Sequence, residues 1–430
     1  AALSTDQIIV LNTAQIAKLS VSQAMGLSTD QIGALTPSQA SVVTVTTLAS
    51  LSTDQFVAVS TQDIAVLTAN QIQALNLQQI AAMTSDQTVA LTPSQVALVR
   101  DYQAPAITTA NIAVMDSAQI SSLMPSAVTS LSTAQLVAIT TDDVPAITTK
   151  QLIALAAPQM SSLTTDQIVA LTTGQIVALP GSLVTALTTA QVSNMTTADL
   201  AALKTSQVTV LTTAQLASIT TDQIKTLTTA QIGALAGFQA AALTTDQIAA
   251  LLTSEVAAIS VGAVPSLTTA QIIALGDTSF PALTTRQISV LTASQFPAVT
   301  TDQITAMRTD QVAAISLSAL PALGVDQLAA FSTKDISILS NNQIGVLTTT
   351  QVASLSTDDI AALTTLQVTA LSIGQADALL VDQIGTLSTA QIRAVSVPAL
   401  ASLNEDQTAA ITTSDIHALT TAQATALTTL

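Results

Sequence analysis

Apolar residues recur along the chain with a period of eight. In the opening stretch LSTDQIIVLNTAQIAKLSVSQAMGLSTDQIGAL, Leu stands at 3, 11, 19, 27 and 35, and Gln at 7, 15, 23 and 31. With each octad numbered from its Leu, position 1 occurs 54 times between residues 3 and 427. It is aliphatic or Met everywhere except at Phe331. Position 5 occurs 53 times; it is Gln at 38 of these sites and Asp, Asn or Glu at eight more. The consensus reads L-T-T-(D/A)-Q-I-A-A, with no insertion or deletion over 430 residues.

Three kinds of element compete for this pattern. A β-strand needs its apolar residues on one parity, yet positions 1 and 6 have opposite parity. The twelve Gly are scattered over several octad positions, not fixed at coil corners, and Ala-rich octads suit strands poorly. A single continuous α-helix advances about 800° in eight residues, so the Leu positions would spiral around it and bury no constant face. One short helix per octad satisfies every signal. Thr or Ser at position 2 with Gln at position 5 is a capping box, and positions 1 and 6 are then the hydrophobic staple pair. Asp at position 4, as in Asp6, Asp30 and Asp54, meets the positive end of the helix dipole. Pro37, Pro93 and Pro125 stand at position 3, the first helical residue, which proline favours.

Six of the twelve prolines, at 105, 145, 265, 281, 297 and 321, stand instead at position 7. Proline there removes an amide donor and disfavours helical geometry in the residue before it. Those octads are expected to hold a single turn, 3-10 or locally extended. No octad can fold alone. Burying one Leu and one Ile yields roughly 3–6 kcal/mol, while ordering eight residues costs roughly 12 kcal/mol. A stack succeeds because neighbours share apolar faces and backbone hydrogen bonds. The fold class expected is therefore all-α: a superhelical solenoid of about 54 eight-residue units, each a short capped helix, over residues 1–430 as one uninterrupted array. Both ends read as cut from a longer repeat protein, since the chain opens without Met or a signal peptide and closes part-way through an octad in ATALTTL.

A longer period lies in the exceptions. Position 5 loses its acid or amide at Thr47, Ala127, Leu183, Ala263, Ser279, Ala319 and Ala399. Leaving Ser279 aside, the spacings alternate between ten and seven octads, a super-repeat of 136 residues, and SVGAVPSL near 263 matches SVPALASL near 399. This is either a duplicated block or a mark of octads in a special environment.

Composition narrows the function. Charged residues are 8%, against about 25% in ordinary soluble domains, and aromatic residues 1%. Net charge is −17, and the nine Lys and Arg form no cluster, so nucleic acid is not an expected partner. Thr, Gln or Asp interrupts every apolar run, so no membrane span is expected. With no Cys there is no disulfide framework and no Cys-based zinc site. His417, the only histidine, reads as a chance substitution at position 7. The paired acids Asp142-Asp143 and Asp358-Asp359 occupy positions 4 and 5 and read as cap residues. The chain has no nucleophile elbow, phosphate loop or zinc-helix motif, and its octad lacks the Gly/Asp run of calcium-binding nonapeptides. No catalytic, cofactor-binding or metal-ligating residue is expected, and no cofactor.

The phrase LTTDQIVAL at 163–171 is similar to the first helix of plant-pathogen TAL effector repeats. Those repeats are about four times longer and carry a base-reading loop and basic residues that this chain lacks. The array L-T-T-A-Q-I-x-A-L as a whole resembles very long, repetitive bacterial surface proteins, adhesin-like or type I-secreted. That resemblance implies an exported structural role and supplies no functional residue to match.

The expectation is thus a structural protein, not an enzyme: a building block of an extracellular filament, sheath, surface layer or adhesin stalk. Thr and Gln would form its neutral exterior, and it would associate with copies of itself or with a continuation of the same array. The alternative is an adhesin gripping glycan or protein on one face, with an ice-binding array of Thr rows as a minor variant.

Overall fold

In the computed structural model, which describes residues 3–427, each octad forms one short helical element, except 275–282, which forms two. The described residues form 48 α-helices and six 3-10 helices, with no strand. The α-helices run four to seven residues; Thr165–Ala170 is typical. Thr164 is its N-cap in extended geometry, its side chain accepts from the amide of Gln167, and Asp166 lies in the first turn. The helix stops because the next Leu, Leu171, is extended again (ψ 139°). The chain therefore alternates one helical turn with one extended corner, as the capping pattern predicts.

The position-7 prolines carry the expected consequence. The six 3-10 turns, Ala104–Ala106, Val144–Ala146, Val264–Ser266, Phe280–Ala282, Phe296–Ala298 and Leu320–Ala322, have these six prolines as their middle residues. Each lacks a side-chain cap at its start. One octad departs further. Gly276, at the capping position of 275–282, has φ 62°, the only positive φ among the described residues, and the helix Thr269–Ala274 passes almost directly into Gly276–Ser279.

The contacts divide the chain into two compact units, Ala1–Leu211 and Thr212–Leu430. Within each, a helix packs chiefly against the one three octads later: Thr53–Val57 against Leu77–Ala82 in the first unit, Thr333–Ile338 against Thr357–Ala362 in the second. Each unit is a helical solenoid. Its core is the stack of position-1 and position-6 side chains, such as Leu163 with Ile168 and Leu347 with Ile344. Four of the five Phe, Phe56, Phe280, Phe296 and Phe331, are buried in it. Positions 2 to 4 and 7 face outward over most of the array, as in 163–170.

Candidate functional site

The recurring polar site is the position-5 side chain, and its place differs from expectation. Glutamine is not part of the exterior: nearly every position-5 Gln from Gln31 onward is buried. Burial of a carboxamide is tolerated only when its donors and acceptor are all engaged, and here they are. Gln151 accepts the amide of its own N-cap, Thr148, at 2.7 Å through Oε1. Its Nε2 donates to the carbonyls of Ile120 and Leu123, 31 and 28 residues earlier, at 2.8 and 2.7 Å. In the second unit Gln351 does the same with Thr348, Leu320 and Leu323 at 2.8, 2.9 and 2.8 Å. One carboxamide thus closes a helix start and clips it to the preceding turn. The 28-residue reach sets a turn of about three and a half octads.

The bonds described between turns consequently run mainly from side chain to backbone, not from backbone to backbone as the stacking argument supposed. The two halves of the capping box are separable. At Ala156, Lys204 and Ala236 the N-cap has no hydroxyl, yet Gln159, Gln207 and Gln239 still accept the N-cap amide at 3.0 Å or less. The capping hydroxyl is the dispensable partner.

Ionised acids at position 5 cannot donate, and they divide by their surroundings. Asp143 accepts from Thr140 Oγ1 at 2.5 Å and from Ser117 Oγ, 26 residues earlier, at 2.6 Å. Asp199 is held likewise by Thr196 at 2.6 Å and Thr173 at 2.8 Å, and Asp415 by Thr412 at 2.5 Å and Thr389 at 2.8 Å. Here a hydroxyl of the preceding turn replaces the clip. Burial pushes the Asp415 carboxyl up, but the two hydroxyls and the Thr412 amide outweigh it and hold it below the usual value. Asp359 accepts the amide of Ser356 at 3.1 Å, the cap role expected of it, while Asp142 is exposed. Asp63 has neither arrangement; both its oxygens are buried without a hydrogen-bond partner. The octad itself gave no sign that these acids differ: for Asp143, Asp199 and Asp415 the second hydroxyl lies 26 positions away.

Where position 5 is apolar, at Ala127, Leu183, Ala263, Ala319 and Ala399, the side chain is buried and supplies no donor. Thr47 keeps a remnant of the clip, donating to the carbonyl of Leu19 at 3.2 Å. His417 is exposed. Among the described residues, no three His, Cys, Asp or Glu gather as metal ligands, and no helix is long and apolar enough to cross a membrane. The Thr rows are only partly free, since the position-2 hydroxyl accepts the helix-start amide in most octads, as at Thr164, Thr348 and Thr364.

These features define an all-helical tandem-repeat solenoid whose turns are clipped by buried glutamines. Residues 1–37, 60–93, 144–180, 192–229 and 320–357 match the family model described as the ALTTAQ repeat, so these stretches are similar to that repeat; together they make up less than half of the chain. A comparison with curated proteins finds no match.

Proposed function

We propose that the chain is a structural protein: a building block of an extracellular filament, sheath, surface layer or adhesin stalk, working at or outside the cell surface and not as an enzyme. The observation that carries this reading is where the buried polar groups go. Almost every one is committed to closing a helix or clipping one turn to the next. The repeat can be lengthened octad by octad without new chemistry, which suits a spacer or fibre subunit. Association with further copies follows from the low surface charge, which repels like chains weakly.

The alternative, an adhesin gripping a ligand on one face, draws less support. Aromatic anchors dominate binding hot spots, and most of the Phe are spent in the core. Tyr102 and Phe238 are exposed but stand on octads far apart in the chain. Electron microscopy of native material, with fractionation of the producing cells, tests the proposal. Fibres, layers or stalks on the outside support it; dispersed monomers confined to the cell interior overturn it.

A further inference from the structure

Asp63 and Glu255 are two of the five buried carboxyls on rungs where the chain elsewhere uses an amide. Glu255 matches Gln in length, and its Oε2 accepts the amide of Leu252 at 2.7 Å, the cap half of the clip. Its other oxygen therefore stands where glutamine carries Nε2. The neighbouring rungs Gln247 and Gln271 place that atom against carbonyls 28 and 31 residues earlier. The same register sets the carbonyls of Leu227 and Ile224 opposite Glu255. Asp63 is shorter and fully buried, and both its oxygens lack partners. Gln55 and Gln71 on either side fix the opposing carbonyls as those of Leu35 and Ile32. The hydroxyl that rescues Asp143, Asp199 and Asp415 lies 26 residues earlier; for Asp63 that residue is Pro37, which has none.

On the side of the preceding turn, an ionised carboxylate in such a place meets the negative ends of carbonyl dipoles, away from water. One proton turns the facing oxygen into the donor the rung requires. We propose that Asp63 and Glu255 are proton-binding sites, each carboxyl keeping its proton in the folded chain and donating its O–H to a carbonyl of the preceding turn in place of the glutamine amide. Burial pushes both carboxyls above their ordinary values, and the Leu252 amide offsets part of this at Glu255.

No buried charge nearby competes for these sites. The Asp63 helix, Thr61–Ala65, packs on Pro37–Ala40, which has no titratable group, and on Ser85–Ala90, whose Asp86 is exposed. Asp30 and Asp54 on the adjoining helices are exposed too. The Glu255 helix, Thr253–Ala258, packs on Thr229–Gly233, which has no charge, and on Gly276–Ser279 and Phe280–Ala282, where Asp277 is exposed. Asp246 on the preceding helix is exposed; beside Ile224, Asp222 and Lys225 pair with each other at 3.8 Å, both also exposed.

A carboxyl raised in the folded state stabilises fully below its unfolded value, about pH 4, and loses that contribution as pH rises through its folded value. The test is urea unfolding of the full chain between pH 4 and 8 for the wild type, E255Q and D63Q. Both variants restore the common residue, so both are expected to fold. They should match the wild type near pH 4 and outlast it above. The advantage should grow by up to about tenfold in the folded-to-unfolded ratio per pH unit over the range in which the proton is lost. Infrared spectra at a pH where exposed Asp and Glu are ionised should show a protonated-carboxyl band in the wild type that the double variant lacks. An advantage independent of pH, or the absence of that band, overturns the proposal. So does closure of the gap at pH 7 by KCl or CaCl2, which would make the bound species a metal ion and not a proton.

Discussion

A buried glutamine normally costs stability, and this chain repeats one in most of its octads. The cost is offset because the carboxamide has one acceptor and two donors, and the rung uses both kinds. Gln167 accepts from Thr164 N at 3.0 Å and donates to Leu136 and Ile139 at 2.9 and 2.8 Å. Replacing it with Ala leaves a buried amide and a buried carbonyl unpaired, at about 1–3 kcal/mol per group. Gln167→Ala should therefore cost about 2–6 kcal/mol locally, read as faster hydrogen exchange in the helix Thr165–Ala170; exchange equal to wild type would contradict the role assigned to the clip. Asp415 gives the acidic counterpart. Its lowered carboxyl stabilises above the unfolded value, and that contribution is lost as pH falls through the folded one. Thr389→Val removes one of the hydroxyls holding it down, so acid should loosen the variant's last turns at a higher pH than in wild type. Coincident acid-unfolding curves would show that Thr389 does not hold the carboxyl. At this scale the sequence was half legible. The cap role of Gln and Thr follows from their three-residue spacing, whereas the bond to the preceding turn spans 28 residues and leaves no local trace. The one available signal was the constancy of position 5, greater than an exposed capping residue requires.

Each helix is so short that its start, not its interior, specifies it. Prolines at position 3 begin helices and those at position 7 shorten them to 3-10 turns, and both outcomes follow from ring geometry alone. Val169 occupies an exposed position 7 in Thr165–Ala170. Val169→Pro should convert that helix to the turn seen at Val144–Ala146. The cost should fall well below the roughly 3 kcal/mol of proline in a long helix, since one backbone bond is lost and no later turn is displaced. Thermal unfolding measures it, and a full 3 kcal/mol loss would show that the octad cannot exchange one turn type for the other. The octad 275–282 was less legible. Gly276 at the capping position signals a departure, but not that, at a φ of 62°, one helix passes almost directly into the next.

Within each unit the rule is translational: most glutamine rungs bond to carbonyls 28 and 31 residues back, whichever octad they belong to. Deleting the whole octad 163–170 keeps that register for all later rungs of the first unit. Deleting 163–166 destroys it for the turn that follows. The first variant should retain the wild-type circular dichroism per residue and a cooperative melt, and the second should lose helix beyond the deleted residues. Equal damage from both would contradict a register set by octads. The eight-residue period made the solenoid legible, but not its turn of about three and a half octads, because that turn is no whole multiple of the repeat and emerges only from packing. The 136-residue super-repeat is visible in the sequence; nothing in the fold explains it.

Position-5 glutamines are buried clips between turns. The most direct test is hydrogen exchange of side-chain carboxamides by NMR, on protein labelled with ¹⁵N at glutamine. A large pool of carboxamide protons protected by orders of magnitude, joined by a further set in D63Q and E255Q, is the predicted result. Exchange of all glutamine side chains at the rate of free glutamine would place them on the exterior and contradict the account.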